Sequence, residues 1–237
     1  MKVAGVVLAG GSGSRVRRDI NKVYLPILDR PMLEYSVTTM ASSCLVDRLV
    51  VVVRGQDTDV AVDLIEGIDS AIEVVTGGQS RTESEHRALE HLAPAVESGD
   101  IDLIAIHDGA RPFLTNDLLK RVIEAAATHG GAIPGLQISE PLYRIRGTTA
   151  EHLPQESLRR VQTPQVFRAR QLADAYQQAL QNGVGAADTA EIVERFADLE
   201  VVVVPGDTRN IKVTFVEDFF QAEEFAQVWK SGCWIDQ

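Results

Sequence analysis

The chain has 237 residues, 45% hydrophobic and 24% charged, enough for one generous domain with a real apolar core and too apolar for wholesale disorder. Twenty-three Lys and Arg against 34 Asp and Glu give a net charge of −11, which opposes general binding to nucleic acid or to an anionic membrane surface. An anionic ligand has to be met by positive charge gathered locally.

Taken in chain order, Val- and Ile-rich runs at 3–9, 49–53, 71–76, 101–106, 132–138 and 199–204 lack polar alternation, the pattern of strands buried on both faces. The first run breaks into Gly and Ser too soon for a signal sequence or a membrane span. Helical periodicity fills the gaps at 32–41, 60–66, 82–96, 117–128, 169–181 and 216–229. That alternation predicts an α/β fold with a doubly wound, mostly parallel sheet. Capping boxes mark two helix starts, Ser80 with Glu83 and Thr214 with Glu217. The stretch 139–164 breaks the rhythm with Pro141, Gly147, Pro154 and Pro164, and its one strand-like run is 142–146. It reads as an extended arm inserted into a single domain spanning 1–237. Two cysteines, Cys44 and Cys233, have no partners at metal-ligand spacing, so no disulfide framework or zinc site is expected and a cytoplasmic location is.

Directly after the first strand comes Leu8-Ala9-Gly10-Gly11-Ser12-Gly13-Ser14-Arg15, followed by Lys22. Glycines there let backbone N–H groups close on a phosphate chain, and the two cations can neutralise charge that builds during phosphoryl or nucleotidyl transfer. Neither common phosphate loop is matched. No Gly-Lys-Ser/Thr ends the segment, and Val16 stands where the last glycine of G-x-G-x-x-G should be.

Three further motifs follow in order: His107-Asp108-Gly109-Ala110-Arg111-Pro112, Gln162-Thr163-Pro164-Gln165-Val166-Phe167 and Asn210-Ile211-Lys212-Val213-Thr214. Together the four resemble those of the cytidylyltransferases that act on alditol phosphates. Nearly the whole chain is similar to the 2-C-methyl-D-erythritol 4-phosphate cytidylyltransferase family and to its relative ribitol-5-phosphate cytidylyltransferase. The resemblance implies a Rossmann-like fold, a homodimer that exchanges its arm, CTP and an alditol phosphate as substrates, and Mg²⁺.

Carried over by residue, the resemblance makes Arg15 and Lys22 the catalytic cations at the α-phosphate. Ala9, Gly10, Gly11, Gly13, Gly78 and Ser84 would bind the nucleotide. Asp108, Arg111 and Gln155 would bind the acceptor, with Asp108 a possible metal contact. Lys212 would position the acceptor phosphate and take part in catalysis. His107 reads as structural, Ser80 as a cap only, and Asp188 as the acid opening a helix. Asn21 replaces the proline that commonly precedes the catalytic lysine, which is expected only to loosen the loop.

Other departures bear on the acceptor. The arm's usual Asp-Thr pair reads Glu140-Pro141, an ungapped count puts Gln155 where an arginine holds methylerythritol phosphate, and Ala187 stands where a threonine is frequent. Arg159 or Arg160 would compensate if the register slips. Methylerythritol phosphate is therefore the leading acceptor, with ribitol 5-phosphate and a phosphonate as alternatives. A nucleotide-binding homologue without turnover is opposed by the intact Arg15, Lys22 and Lys212. A sugar-1-phosphate nucleotidylyltransferase would not be expected to carry the last two motifs.

Overall fold

The computed structural model describes residues 1–11, 21–69 and 71–230. In chain order the elements are β1 (Val3–Leu8), β2 (Pro26–Ile27), β3 (Arg30–Pro31), α1 (Met32–Ser42), β4 (Arg48–Val53), α2 (Thr58–Glu66), β5 (Glu73–Thr76), α3 (Arg81–Glu97), β6 (Leu103–Asp108), α4 (Asn116–His129), β7 (Gly130–Gln137), β8 (Leu142–Arg146), β9 (Thr149–Leu153), β10 (Arg159–Val161), β11 (Gln165–Arg168), α5 (Ala169–Gln181), α6 (Thr189–Phe196), β12 (Glu200–Pro205) and α7 (Asp218–Lys230).

The strands of the central sheet alternate their side chains between two apolar layers, which is why their sequences read as unbroken apolar runs. Val51 and Val53 of β4 pack with α1, α2 and α4, while Val50 and Val52 pack with α3, α5 and α6. β1 lies between β4 and β6 and pairs with both in parallel, and β5 extends the sheet beyond β4. The chain thus winds outward from β1 on both sides. Ligands of such sheets bind outside the carboxyl ends of the strands at that reversal, here after β1 and β6.

Beyond β6 the sheet departs from the simple alternation. β11 pairs antiparallel with both β6 and β7, and β10 continues along the same side of β7, so the two act as one interrupted strand. β12 pairs with the other side of β7 in parallel. As an edge strand it leaves Val203 51% exposed, contrary to the expectation that every run is buried on both faces. The irregular segment contains an exposed hairpin, β8 with β9, whose turn uses Gly147 at φ +60°. Among the described residues no helix is long and apolar enough to cross a membrane.

One predicted helix start is corrected. Ser80 caps α3 as expected, its hydroxyl accepting from the Glu83 N–H at 3.1 Å. Thr214, however, does not cap α7, which begins only at Asp218. The Asp218 carboxylate reaches back to accept from the Thr214 and Phe215 N–H groups at 2.6 and 2.8 Å, and so takes the role expected of Glu217.

Candidate active site

The crevice at the carboxyl ends of β1, β4 and β6 has a volume of about 560 Å³. Lys22, Arg54, Arg81 and Lys212 line it, against Asp108 as the one acid among its described walls. In a chain of net charge −11 this is the local positive charge that an anionic ligand requires. Gly10, Gly11, Gly78 and Ser84 also form its wall.

The glycine-rich wall is narrow for a steric reason. A Cβ on Gly77 would come within 2.8 Å of the Ser84 hydroxyl and 3.0 Å of Val52, so only glycine lets the segment after β5 pass so close to the start of α3. There the Ser84 hydroxyl accepts from the Gly78 N–H at 3.1 Å and donates to the Ser80 carbonyl at 2.8 Å. Ala9 contributes differently from expectation. Its N–H donates to the Val52 carbonyl at 2.7 Å and its own carbonyl accepts from Asn21 at 2.6 Å, so both backbone groups are engaged within the protein. Gly13 and Arg15 lie outside the described residues.

Asn21 does the opposite of loosening its loop. It is 1% exposed, caps the short turn Lys22–Tyr24, and its amide donates both to the Ala9 carbonyl and, at 3.2 Å, to Asp57. Asp57 is in turn gripped by Arg54 through two hydrogen bonds of 2.6 and 2.9 Å. The result pins the start of Lys22 to β1, and the Lys22 ammonium donates to the Val213 carbonyl at 2.7 Å.

Opposite stands Asp108, the last residue of β6 and 6% exposed. Burial opposes its charge, yet the Arg81 and Lys212 cations hold its carboxyl far below the usual carboxylate range. Arg81 reaches one oxygen at 2.5 Å and Lys212 the other at 2.8 Å. Lys212 sits in the irregular segment between β12 and α7. That segment is held in place by side chains from elsewhere. Gln162 donates to the Asp207 and Asn210 carbonyls at 2.8 and 3.0 Å and accepts from the Asp207 N–H, while Asn210 donates to the Thr163 carbonyl at 2.7 Å. Gln165 accepts from the Ala190 N–H at 2.9 Å and so joins the same motif to α6. The third and fourth sequence motifs are thus one structure.

Arg111 lies beside Asp108 but is half-buried against the same segment, donating to the Asn210 carbonyl at 2.9 Å. His107 is fully buried, which pushes its pKa down to about 4. Its Nε2 faces the Arg111 carbonyl at 3.0 Å and must carry the proton, leaving Nδ1 to accept from the Thr163 hydroxyl. The imidazole is therefore a structural brace. Gln155 lies in an exposed turn after the hairpin, its amide donating weakly to the Ser139 carbonyl at 3.5 Å, away from the crevice walls of its own chain. Asp188 is the N-cap of α6.

Arg81, Arg54 and Gln79 are crevice residues that the sequence reading missed. Arg81 carried a signal. A cation in the first turn of a helix opposes the helix dipole, so it needs a carboxylate partner nearby.

The profile of the IspD, 2-C-methyl-D-erythritol 4-phosphate cytidylyltransferase, family matches residues 3–227. The chain belongs to this family. A cytidylyltransferase of that name from Solibacter usitatus is 37% identical over 95% of this chain and 96% of its own length. The bifunctional enzyme IspD/IspF of a Chelativorans species is 34% identical over 94% of this chain, which spans only 55% of that longer protein. Among solved structures, the 4-diphosphocytidyl-2C-methyl-D-erythritol synthase of Anaerococcus prevotii superposes with a TM-score of 0.84 at 27% identity, covering 95% of this chain and 96% of that one. A cation-lined crevice suits cytidylyl transfer, because charge gathers on the phosphate under attack. The incoming phosphate is itself the nucleophile.

Proposed function

We propose that the protein joins the cytidylyl group of CTP to 2-C-methyl-D-erythritol 4-phosphate, releasing pyrophosphate, as a step of isoprenoid precursor synthesis in the cytoplasm. The observation that carries this reading is the pairing of two sets of groups across one crevice. The glycine-rich wall with Lys22 is suited to a triphosphate, and Lys212 on Asp108 is suited to a second phosphate. An oxygen of the acceptor phosphate attacks the α-phosphorus, and the bond from that phosphorus to the oxygen bridging to the β-phosphate breaks. Negative charge gathers at the α-phosphate, where Lys22 and Arg15 offset it. A phosphate monoester is mostly dianionic near neutrality, so no general base is required.

Among the described residues no three His, Cys, Asp or Glu gather into a metal cage, and Asp108 is the one crevice acid. A single carboxylate suits Mg²⁺ that comes bound to the nucleotide, and Asp108 is the residue that would contact it there. Bound there, it would neutralise phosphate charge. The exposed arm is read as the element exchanged in a homodimer.

The test is pyrophosphate release with each nucleoside triphosphate crossed against methylerythritol phosphate, ribitol 5-phosphate and a short phosphonate panel. The reading expects turnover with CTP and methylerythritol phosphate only in the presence of Mg²⁺. Equal rates with UTP, or preference for another acceptor, would overturn the corresponding half.

A further inference from the structure

Behind the crevice lies a buried acid that the transfer chemistry does not use. Glu85 is 1% exposed and sits one turn after Arg81 on α3. One of its oxygens faces Arg81 Nε at 3.0 Å and accepts from the Thr189 hydroxyl at 2.9 Å, while the other accepts from the buried Tyr176 hydroxyl. These partners come from α3, α5 and the first residue of α6. From Glu85 charge alternates toward the crevice through Arg81 and Asp108 to Lys212.

The guanidinium is planar and is held from two sides by opposite charge. Asp108 accepts a hydrogen bond from Nη1, while the Glu85 carboxylate lies 3.0 Å from Nε as an ion pair without hydrogen-bond alignment. With Glu85 removed, the group could pivot about its contact with Asp108. Lys212 would feel that motion, because it shares the Asp108 carboxylate and is itself 43% exposed. The nucleotide wall would not, since the hydrogen bonds linking Gly78, Ser80 and Ser84 bypass Glu85.

We propose that Glu85 is a positioning residue: by fixing Arg81 against Asp108 it holds Lys212 where the acceptor phosphate binds. The proposal rests on the cytidylyl-transfer reading for its kinetic consequence. Its geometric content, the placement of Arg81, does not depend on that reading.

The test compares Glu85→Gln, Tyr176→Phe and Thr189→Val with the wild type in steady-state kinetics, varying CTP and methylerythritol phosphate separately. Misplacement of a group that orients a substrate can cost up to about a hundredfold, so kcat/KM for the acceptor should fall at least about tenfold in Glu85→Gln, mainly through KM. The CTP KM should stay within about twofold, as expected for a wall whose contacts are untouched. Tyr176→Phe and Thr189→Val should move the acceptor KM in the same direction by less, and they carry the test if Glu85→Gln does not fold. A purely structural acid would lower the melting temperature and the active fraction with both KM values unchanged, and that result overturns the proposal. If the wild type itself turns over neither acceptor nor CTP, the functional reading has failed. A crystal structure of Glu85→Gln, or of Tyr176→Phe in its place, then decides the geometry. Arg81 displaced from Asp108 supports the proposal, and Arg81 unmoved overturns it.

Discussion

Lys212 and Asp108 meet at 2.8 Å, although one follows β12 in an irregular segment and the other ends β6. The contact puts the proposed phosphate-binding cation directly over the sheet reversal. Lys212→Ala should lower kcat/KM about a hundredfold or more with any acceptor, the scale of losing a charged contact to a reacting phosphate. Asp108→Asn should also impair the acceptor step, because Arg81 and Lys212 then lose their shared counter-charge. Steady-state kinetics with the acceptor varied checks both, and a Lys212→Ala enzyme of near-normal efficiency would exclude Lys212 from the site.

Lys22 reaches the Val213 carbonyl at 2.7 Å, next to Lys212 in sequence, so the turn that carries Lys22 and the segment that carries Lys212 converge at one point. Lys22→Ala should reduce kcat by about a hundredfold with the fold intact, and Arg15→Ala by a comparable factor on the resemblance of its motif. Near-normal kcat with only a raised CTP KM would assign these cations to binding and not to the transition state.

Asn21 has a φ of −60°, a value proline also adopts, but its amide makes the buried contacts to Ala9 and Asp57. Asn21→Ala should cost about 1–3 kcal/mol, the scale of leaving buried polar groups unpaired. Asn21→Pro should cost less, since its ring presets that φ and restricts the unfolded chain. Urea unfolding of the two variants checks the order, and equal midpoints with the wild type would remove Asn21 from the support of Lys22.

His107 provides a pH signature. Burial lowers its pKa from 6.5 to about 4, so the unfolded chain takes up a proton that the folded protein refuses. The contribution to stability is fully present above pH 6.5 and is lost as the pH falls from there to about 4, amounting to about 3 kcal/mol. Unfolding free energies of wild type and His107→Gln, compared across that window, isolate the imidazole from the carboxylates. Parallel curves would contradict the assignment.

The arm prediction concerns the hairpin, where Tyr143 and Ile145 are 56% and 63% exposed. Sedimentation should give about twice the chain mass if these side chains are covered by a second copy. Gln155→Arg with Pro141→Thr should then raise kcat/KM for methylerythritol phosphate about ten- to a hundredfold, the conversion of one charge-assisted contact of about 1.5–3 kcal/mol. A fully active monomer would refute the exchange, and no gain from the double variant would place the holding cation elsewhere, at Arg159 or Arg160.

The parallel core was legible in the amino-acid sequence because its causes are local. Apolar runs such as 49–53 must be buried on both faces, and periodic helices between them dictate crossover connections. The interrupted strand β10–β11 was not legible, since a three- or four-residue stretch beside a proline carries too little periodicity. The same limit hid the supports of the site. Asn21 with Asp57, Gln162 with Asn210, and Glu85 with Thr189 stand 36, 48 and 104 residues apart. Each partner alone reads as an ordinary polar residue. Only the packed sheet excludes water from these pairs, and that exclusion makes each group depend on the one partner within reach.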